Sequence, residues 1–136
     1  MVRLPLEGIR VTDFSWIING PQTGLWLAAM GAEVIKIESR VYLDFMRLNP
    51  AFMADGQADV NRNGGYHTLN YGKKSINLNI KTPRGKELAY ELVTTLLSET
   101  TNNDACEVVV REKSAHHENL PFGAIVIDAT VEDELT

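Results

Sequence analysis

Two runs near the N-terminus, LEGIRVTDFSWIINGP (residues 6–21) and MGAEVIKIE (residues 30–38), decide how this chain is read. Ile9–Phe14 has the composition of a short buried strand. Asn19-Gly20-Pro21 is a helix-start signal. Asn or Gly serves as N-cap, and Pro is favoured at the first helical position because its missing N–H costs nothing there. The spacing predicts a helix from Pro21 to about Met30, with Leu25, Ala28 and Ala29 on one face and Leu27 and Met30 beside it. Gly31 suits the left-handed position that ends a helix. Glu33–Ile37 reads as a second strand. Strand, helix and strand in so short a span form a βαβ unit, with parallel strands and a right-handed crossover.

Outward from this unit the pattern changes. From Glu38 to Tyr71, Asn49-Pro50, Asp55-Gly56 and Asn61–Gly65 are turn signals, so a long irregular segment is expected, either a functional loop or partly disordered. Lys74–Ile80 alternates polar and apolar residues, as a third strand with one face covered would. Thr82-Pro83 opens a second helix, Thr as N-cap and Pro at the first position. Leu88, Ala89, Leu92, Val93, Leu96 and Leu97 form its apolar stripe. Ser98–Asp104 is a polar loop, and residues 107–111 and 124–128 are two further strands joined by a polar connector. The expected fold is α/β, a Rossmann-like, mainly parallel sheet flanked by helices. Residues 1–97 would form one α/β segment, and residues 98–136 a divergent acidic tail whose two strands pack on the same domain.

A chain of 136 residues with 44% hydrophobic and 23% charged content has room for one small core. No apolar run is long enough to span a bilayer, and the start lacks the features of a secretory signal. The single cysteine, Cys106, excludes an internal disulfide. A cytoplasmic location and no membrane partner are the expectations. Charge is uneven: residues 1–97 carry 11 Lys/Arg against 9 Asp/Glu, and residues 98–136 carry 2 against 9. Such a chain offers a nucleic acid little positive field, so no nucleic-acid partner is expected.

Ser15–Pro21 lies between a strand's C-terminal end and a helix N-terminus. Free backbone N–H groups and the helix dipole favour an anion there. Alternatively, Gly20 and Pro21 simply turn the chain. The G-x-G-x-x-G fingerprint is absent, so NAD and FAD are not suggested. His116 and His117 are adjacent and would face opposite ways on a strand, so no metal site is expected. Cys106 reads as a buried small residue, Trp16 and Trp26 as core or dimer-contact residues, and Asp13, ending a strand, as structural.

Two blocks carry a family resemblance. The first comprises Pro5, Leu6, Gly8, Val11, Asp13, Phe14, Ser15, Gly20 and Pro21, then Gly31, Ala32 and Val34–Glu38. The second comprises Asn70, Lys73, Ser75, Leu78, Asn79, Lys81, Pro83 and Gly85. In order and spacing they resemble the N-terminal portion, residues about 4–93, of the family III CoA-transferases, the group of formyl-CoA transferase, carnitine CoA-transferase and α-methylacyl-CoA racemase. The resemblance implies CoA or acyl-CoA as ligand, with no permanently bound cofactor. It implies that the first loop, through Ile18, Asn19 and Gly20, lines the thioester site, and that Arg40, Lys73 and Lys74 meet the CoA phosphates. A family Gln falls on Ile18, which argues against the formyl-CoA subgroup, and a family Arg falls on Ser39, with Arg40 next to it.

Beyond Val93 the resemblance fades. Ala105–Glu112 has the family's next strand without the N-F-R-P-G that follows it. The catalytic aspartate motif is not recognisable, and neither Asp128 nor Asp133 has a motif around it, so no catalytic residue is assigned. In the family an aspartate carboxylate attacks the acyl-CoA thioester to give an anhydride. Three functions are therefore weighed: a fragment or subunit that needs a complementary chain for its aspartate; a stand-alone CoA-binding module, inactive alone; and a small oligomeric protein from a captured gene fragment with no retained ligand. In each, uncovered apolar surface favours a homo-oligomer, a dimer in the simplest case.

Overall fold

The structure is a computed structural model that describes residues 3–53, 59–98, 108–112 and 123–128, with side chains described to residue 93. At its centre β1 (Arg10–Asp13) and β2 (Glu33–Glu38) pair in parallel, Val11 opposite Val34 and Asp13 opposite Lys36. Helix α1 (Asn19–Ala29) makes the connection. Strand β3 (Lys74–Asn77) adds to β2, also in parallel, with Ile35 opposite Lys74. The α/β fold with a parallel three-stranded unit is therefore as the sequence indicates. Two C-terminal strands, β4 (Val108–Glu112) and β5 (Gly123–Asp128), extend it in antiparallel fashion, giving the order β3-β2-β1-β5-β4. Both lie within one residue of their expected positions. Cys106, His116, His117 and Asp133 fall outside the described residues, as do Asp55-Gly56 and most of the polar loop and connector.

The core is the cluster Val11, Ala32 and Val34, with Leu6, Ile9, Leu27 and Ala28 packed against it. The helix above it departs from expectation at both its start and its face. It begins at Asn19 rather than Pro21, with the Gln22 N–H donating to the Ile18 carbonyl at 2.8 Å. Pro21 still lies in the first turn, where the N–H has no intrahelical partner. The buried face is Gly20, Pro21 and Gly24, whereas Ala29 and Met30 are exposed and Trp26 is 60% exposed. Close approach explains the reversal. A Cβ on Gly20 would sit 2.2 Å from the Ser15 Cβ, and one on Gly24 would sit 2.9 Å from the Lys73 Nζ. Small residues let the helix rest on the strand ends, Leu27 and Ala28 pack on the core, and Trp26 and Met30 turn outward.

The helix ends as its sequence signals. Gly31 takes φ +106°, its N–H donates to Ala28, and the Ala32 N–H donates to Leu27. This Schellman pattern turns the chain back into β2. Helix α4 (Pro83–Ser98) also starts where expected: the Thr82 Oγ1 accepts from the Gly85 N–H at 3.0 Å.

The segment after β2 is not irregular throughout. It contains helices α2 (Phe45–Leu48) and α3 (Gly64–Leu69) and a 3₁₀ turn at Pro50–Phe52. Each is started by an Asx side chain: Asp44 accepts from Met46, Asn49 from Ala51 and Asn63 from Tyr66. The residues read as turn signals are thus partly helix caps. Strand β3 is shorter than Lys74–Ile80 and exposed at all four residues, not covered on one face. It is an edge strand, and it stops where Asn79 folds the chain into a turn, accepting from the Lys81 and Thr82 N–H groups. No helix among the described residues is long and apolar enough to cross a membrane.

Gly85 is the tightest of the glycine contacts. A Cβ there would lie 1.9 Å from the Asn79 carbonyl oxygen, a backbone atom, whereas one on Gly64 would meet nothing closer than 3.5 Å. Gly85→Ala is expected to lower stability in urea denaturation by about 1–3 kcal/mol. Gly64→Ala should be neutral or stabilising by up to about 1 kcal/mol.

Candidate functional site

Below the first loop lies a row of four buried charges. Asp13 ends β1 with no exposure, Lys36 sits opposite it on β2, Lys73 arrives from the turn before β3, and Asp44 comes from the N-cap of α2. Along the row the separations are 3.9 Å for Asp44–Lys36, 4.0 Å for Lys36–Asp13 and 2.9 Å for Asp13–Lys73. Signs alternate and sum to zero, the condition under which such a group tolerates removal from water. Burial pushes the Asp44 carboxyl up, against the N–H groups of Met46 and Ile17 and the Lys36 charge, which pull it down. Burial likewise pulls Lys73 down, against the opposing charge of Asp13.

These charges hold the loop by its backbone. The Asp13 Oδ1 accepts from the Ser15 N–H at 2.8 Å and from the Ser15 hydroxyl. Lys36 donates to the Ser15 carbonyl at 2.7 Å, and Lys73 to the Pro21 carbonyl at 2.7 Å and to Asn70 at 3.0 Å. Both ends of Ser15–Pro21 are therefore fastened to ammonium groups. Between them Ile17 has φ +69°, a conformation a β-branched residue rarely adopts. Asp13 is fully engaged as a structural carboxylate, in keeping with the strand-end role expected of it.

Beside the loop a second cluster shapes a cleft. Arg47 grips Glu38 through two nitrogens at 2.7 and 3.0 Å, donates to the Val60 carbonyl at 2.9 Å and lies 3.7 Å from the centre of the Tyr66 ring. The Ser75 hydroxyl donates to Glu38 at 2.7 Å. Burial alone would raise the Glu38 carboxyl, but hydrogen bonds from Arg47, Tyr66 and Ser75 outweigh it and bring it down from 4.5 to about 2. The cleft has a volume of about 570 Å³, and its lining includes Glu38, Arg40, Arg47, Ser75 and Asn77. A smaller hollow, which also reaches Glu38 and Ser39, extends to Trp16 in the loop.

The residues singled out from sequence fall in different places. Ile18 and Asn19 are exposed on the loop, and Gly20 is buried beneath it. Arg40 lines the cleft, its backbone N–H held by Asn77 at 3.0 Å, and its guanidinium has no partner among the described residues. Lys73 is buried, with three oxygen acceptors around its ammonium. Lys74 is level with Ile35 and pairs with Glu33. Alternation along the strand puts Lys74 on the face opposite Ser75 and Asn77. The fold therefore does not gather the three basic residues, because consecutive positions entering a strand point different ways. Asp44, Arg47 and Asn77 received no role from sequence. The signal for Asp44 was present, an Asp two residues before a buried Met. Among the described residues no group of three or more His, Cys, Asp or Glu is placed to hold a metal ion.

The model of CoA-transferase family III matches residues 6–96. The chain belongs to this family. It is 40% identical over 89 residues to the succinyl-CoA:mesaconate CoA-transferase of Haloarcula marismortui, covering 65% of this chain and 22% of that protein. It is 40% identical over 92 residues to the succinate–glutarate CoA-transferase of Agrobacterium fabrum, covering 67% of this chain and 23% of that one. Among solved structures, a CAIB/BAIF family protein from Brucella suis aligns with a TM-score of 0.57 and 34% identity, over 69% of this chain and 24% of that chain. The matched region thus spans less than a quarter of each of these relatives.

The buried row and the surface pair should respond differently to mutation. Lys73→Met is expected to cost about 3–5 kcal/mol in urea denaturation, because it strands Asp13 in the interior. Lys74→Met should cost no more than about 1 kcal/mol, because its pair with Glu33 is largely exposed. Glu38 provides a pH test. A carboxyl lowered from 4.5 to about 2 on folding contributes stability above pH 4.5 that is lost as the pH falls through about 2. The contribution is on the order of 3 kcal/mol. Acid denaturation of Glu38→Gln should show a correspondingly flatter profile below pH 4.5.

Proposed function

We propose that this chain carries the part of a family III CoA-transferase that binds CoA or acyl-CoA and turns over nothing alone. The nucleotide phosphates lie at Arg40, the pantetheine runs towards Ile18-Asn19-Gly20, and Lys73 acts from below by fixing the Pro21 carbonyl. Lys74, on the opposite face of β3 and paired with Glu33, adds only long-range charge. The observation that carries this reading is the Arg40 guanidinium, without a partner among the described residues, in a cleft that adjoins a loop fastened at both ends. A ligand with several negative charges and a long polar arm suits a cation beside a fixed backbone. Asp13 is not the catalytic carboxylate in this reading, since its oxygens are committed to Ser15 and Lys73.

A second reading, an oligomeric protein without ligand, is favoured by apolar exposure: Trp26 is 60%, Tyr90 72% and Tyr71 79% exposed. Self-association, in a dimer or with a complementary subunit, is compatible with both readings, and a hydrodynamic mass of a single chain at micromolar concentration counts against it.

Calorimetric titration separates the two. Wild type should bind CoA weakly, and added salt should weaken binding further. Arg40→Ala should lose about 1.5–3 kcal/mol, roughly ten- to hundredfold in affinity. Equal binding by both proteins, or none by wild type at millimolar CoA, leaves the second reading. Robust CoA transfer to a free acid by the purified chain would overturn the proposed inactivity.

A further inference from the structure

The loop contains a backbone conformation that its own sequence does not favour. Ile17 is β-branched, yet sits at φ +69°. Such a residue is strained and persists only where its surroundings impose it. One side chain holds it directly. The Ile17 N–H donates to the two oxygens of Asp44 at 3.2 and 3.4 Å, and the Met46 N–H donates to Asp44 Oδ1 at 2.9 Å. Asp44 is 5% exposed and 27 residues away in sequence. The charged groups facing it are Lys36 and Glu38 from β2 and Lys73 from the turn before β3.

We infer that Asp44 is a positioning residue, a pin whose carboxylate holds Ile17 left-handed and so fixes the ligand loop to the segment that follows β2. Its effect on CoA rests on the ligand reading above; the pin itself does not. Replacing the carboxylate by a neutral group exchanges charge-assisted bonds to Ile17 and Met46 for weaker ones. Burial raises Asp44, so on acidification it takes its proton above the usual carboxylate value. A carboxyl raised on folding contributes more stability as pH falls. Its protonation therefore loosens the loop without unfolding the domain through this group.

Trp16 adjoins Ile17 and reports on the loop once Trp26→Phe removes the chain's other indole. In that background Trp16 emission should shift as the pH falls through the Asp44 ionisation. Asp44→Asn keeps the shape and one acceptor for the two N–H groups, and should show no shift in the same window. Asp44→Ala should show the released spectrum at neutral pH. If the released loop visits the original geometry about a tenth of the time, CoA binding by Asp44→Ala weakens about tenfold. Asp44→Asn, neutral like the protonated acid, should fall between wild type and Asp44→Ala. Identical Trp16 pH profiles in wild type and Asp44→Asn overturn the pin, and so does unchanged emission in a folded Asp44→Ala. Should Asp44→Ala fail to fold, the Asp44→Asn profile decides. An Asp44-dependent shift without CoA binding by wild type would remove the ligand reading and leave the pin standing.

Discussion

Asp13 and Lys73 are 60 residues apart in sequence and 2.9 Å apart in space. Their contact joins the end of the first strand to the turn before the third, and Lys73 also holds the start of α1 through the Pro21 carbonyl. Three elements are thus positioned by one ammonium group. Burying it is favourable only because the remaining charges balance: Lys36 lies between Asp13 and Asp44, and every carboxylate has backbone N–H donors or a lysine facing it. Removing Lys73 takes from the buried Asp13 its nearest cation.

The glycines follow from this row. Gly24 passes within Cβ distance of both Lys73 and Asp13, and Gly20 lies against Ser15. A side chain at either position would lift α1 off the strand ends and open the charges to water. The matched positions of the first family block are therefore physical requirements of one packing arrangement: Asp13, Ser15, Gly20 and Lys36 touch one another or the same loop. In the second block, Ser75 closes on Glu38 and Gly85 fits under Asn79. The loop above this base is rigid at its ends and strained at Ile17, a combination that keeps Ile18 and Asn19 presented outward.

The family match ends at residue 96, and the described strands beyond it pair antiparallel with β1 and with each other. The parallel unit is what this chain has in common with its relatives. Its edge strand β3 exposes all four residues, and several large apolar side chains lie at the surface. These features fit a domain whose relatives carry much more chain around the same unit.

Local signals determined the first layer of this structure. Apolar runs gave β1 and β2, Gly31 gave the end of α1, and Thr82-Pro83 gave the start of α4, because each depends on backbone geometry within a few residues. The parallel pairing followed from a strand–helix–strand span too short for another arrangement. Only the tertiary structure decided which charges are buried. Lys73 and Lys74 are adjacent and chemically alike, yet one is a buried anchor and the other a largely exposed ion pair, because entry into a strand turns successive side chains to different environments. The face of α1 was decided in the same way. Its buried stripe is set by how close Ser15, Asp13 and Lys73 come to the helix, a long-range distance that hydrophobic periodicity does not encode. Asp44's hold on Ile17 is a third case: its cap on α2 is local, but its grip on a strained residue 27 positions earlier exists only once β1 and β2 have paired.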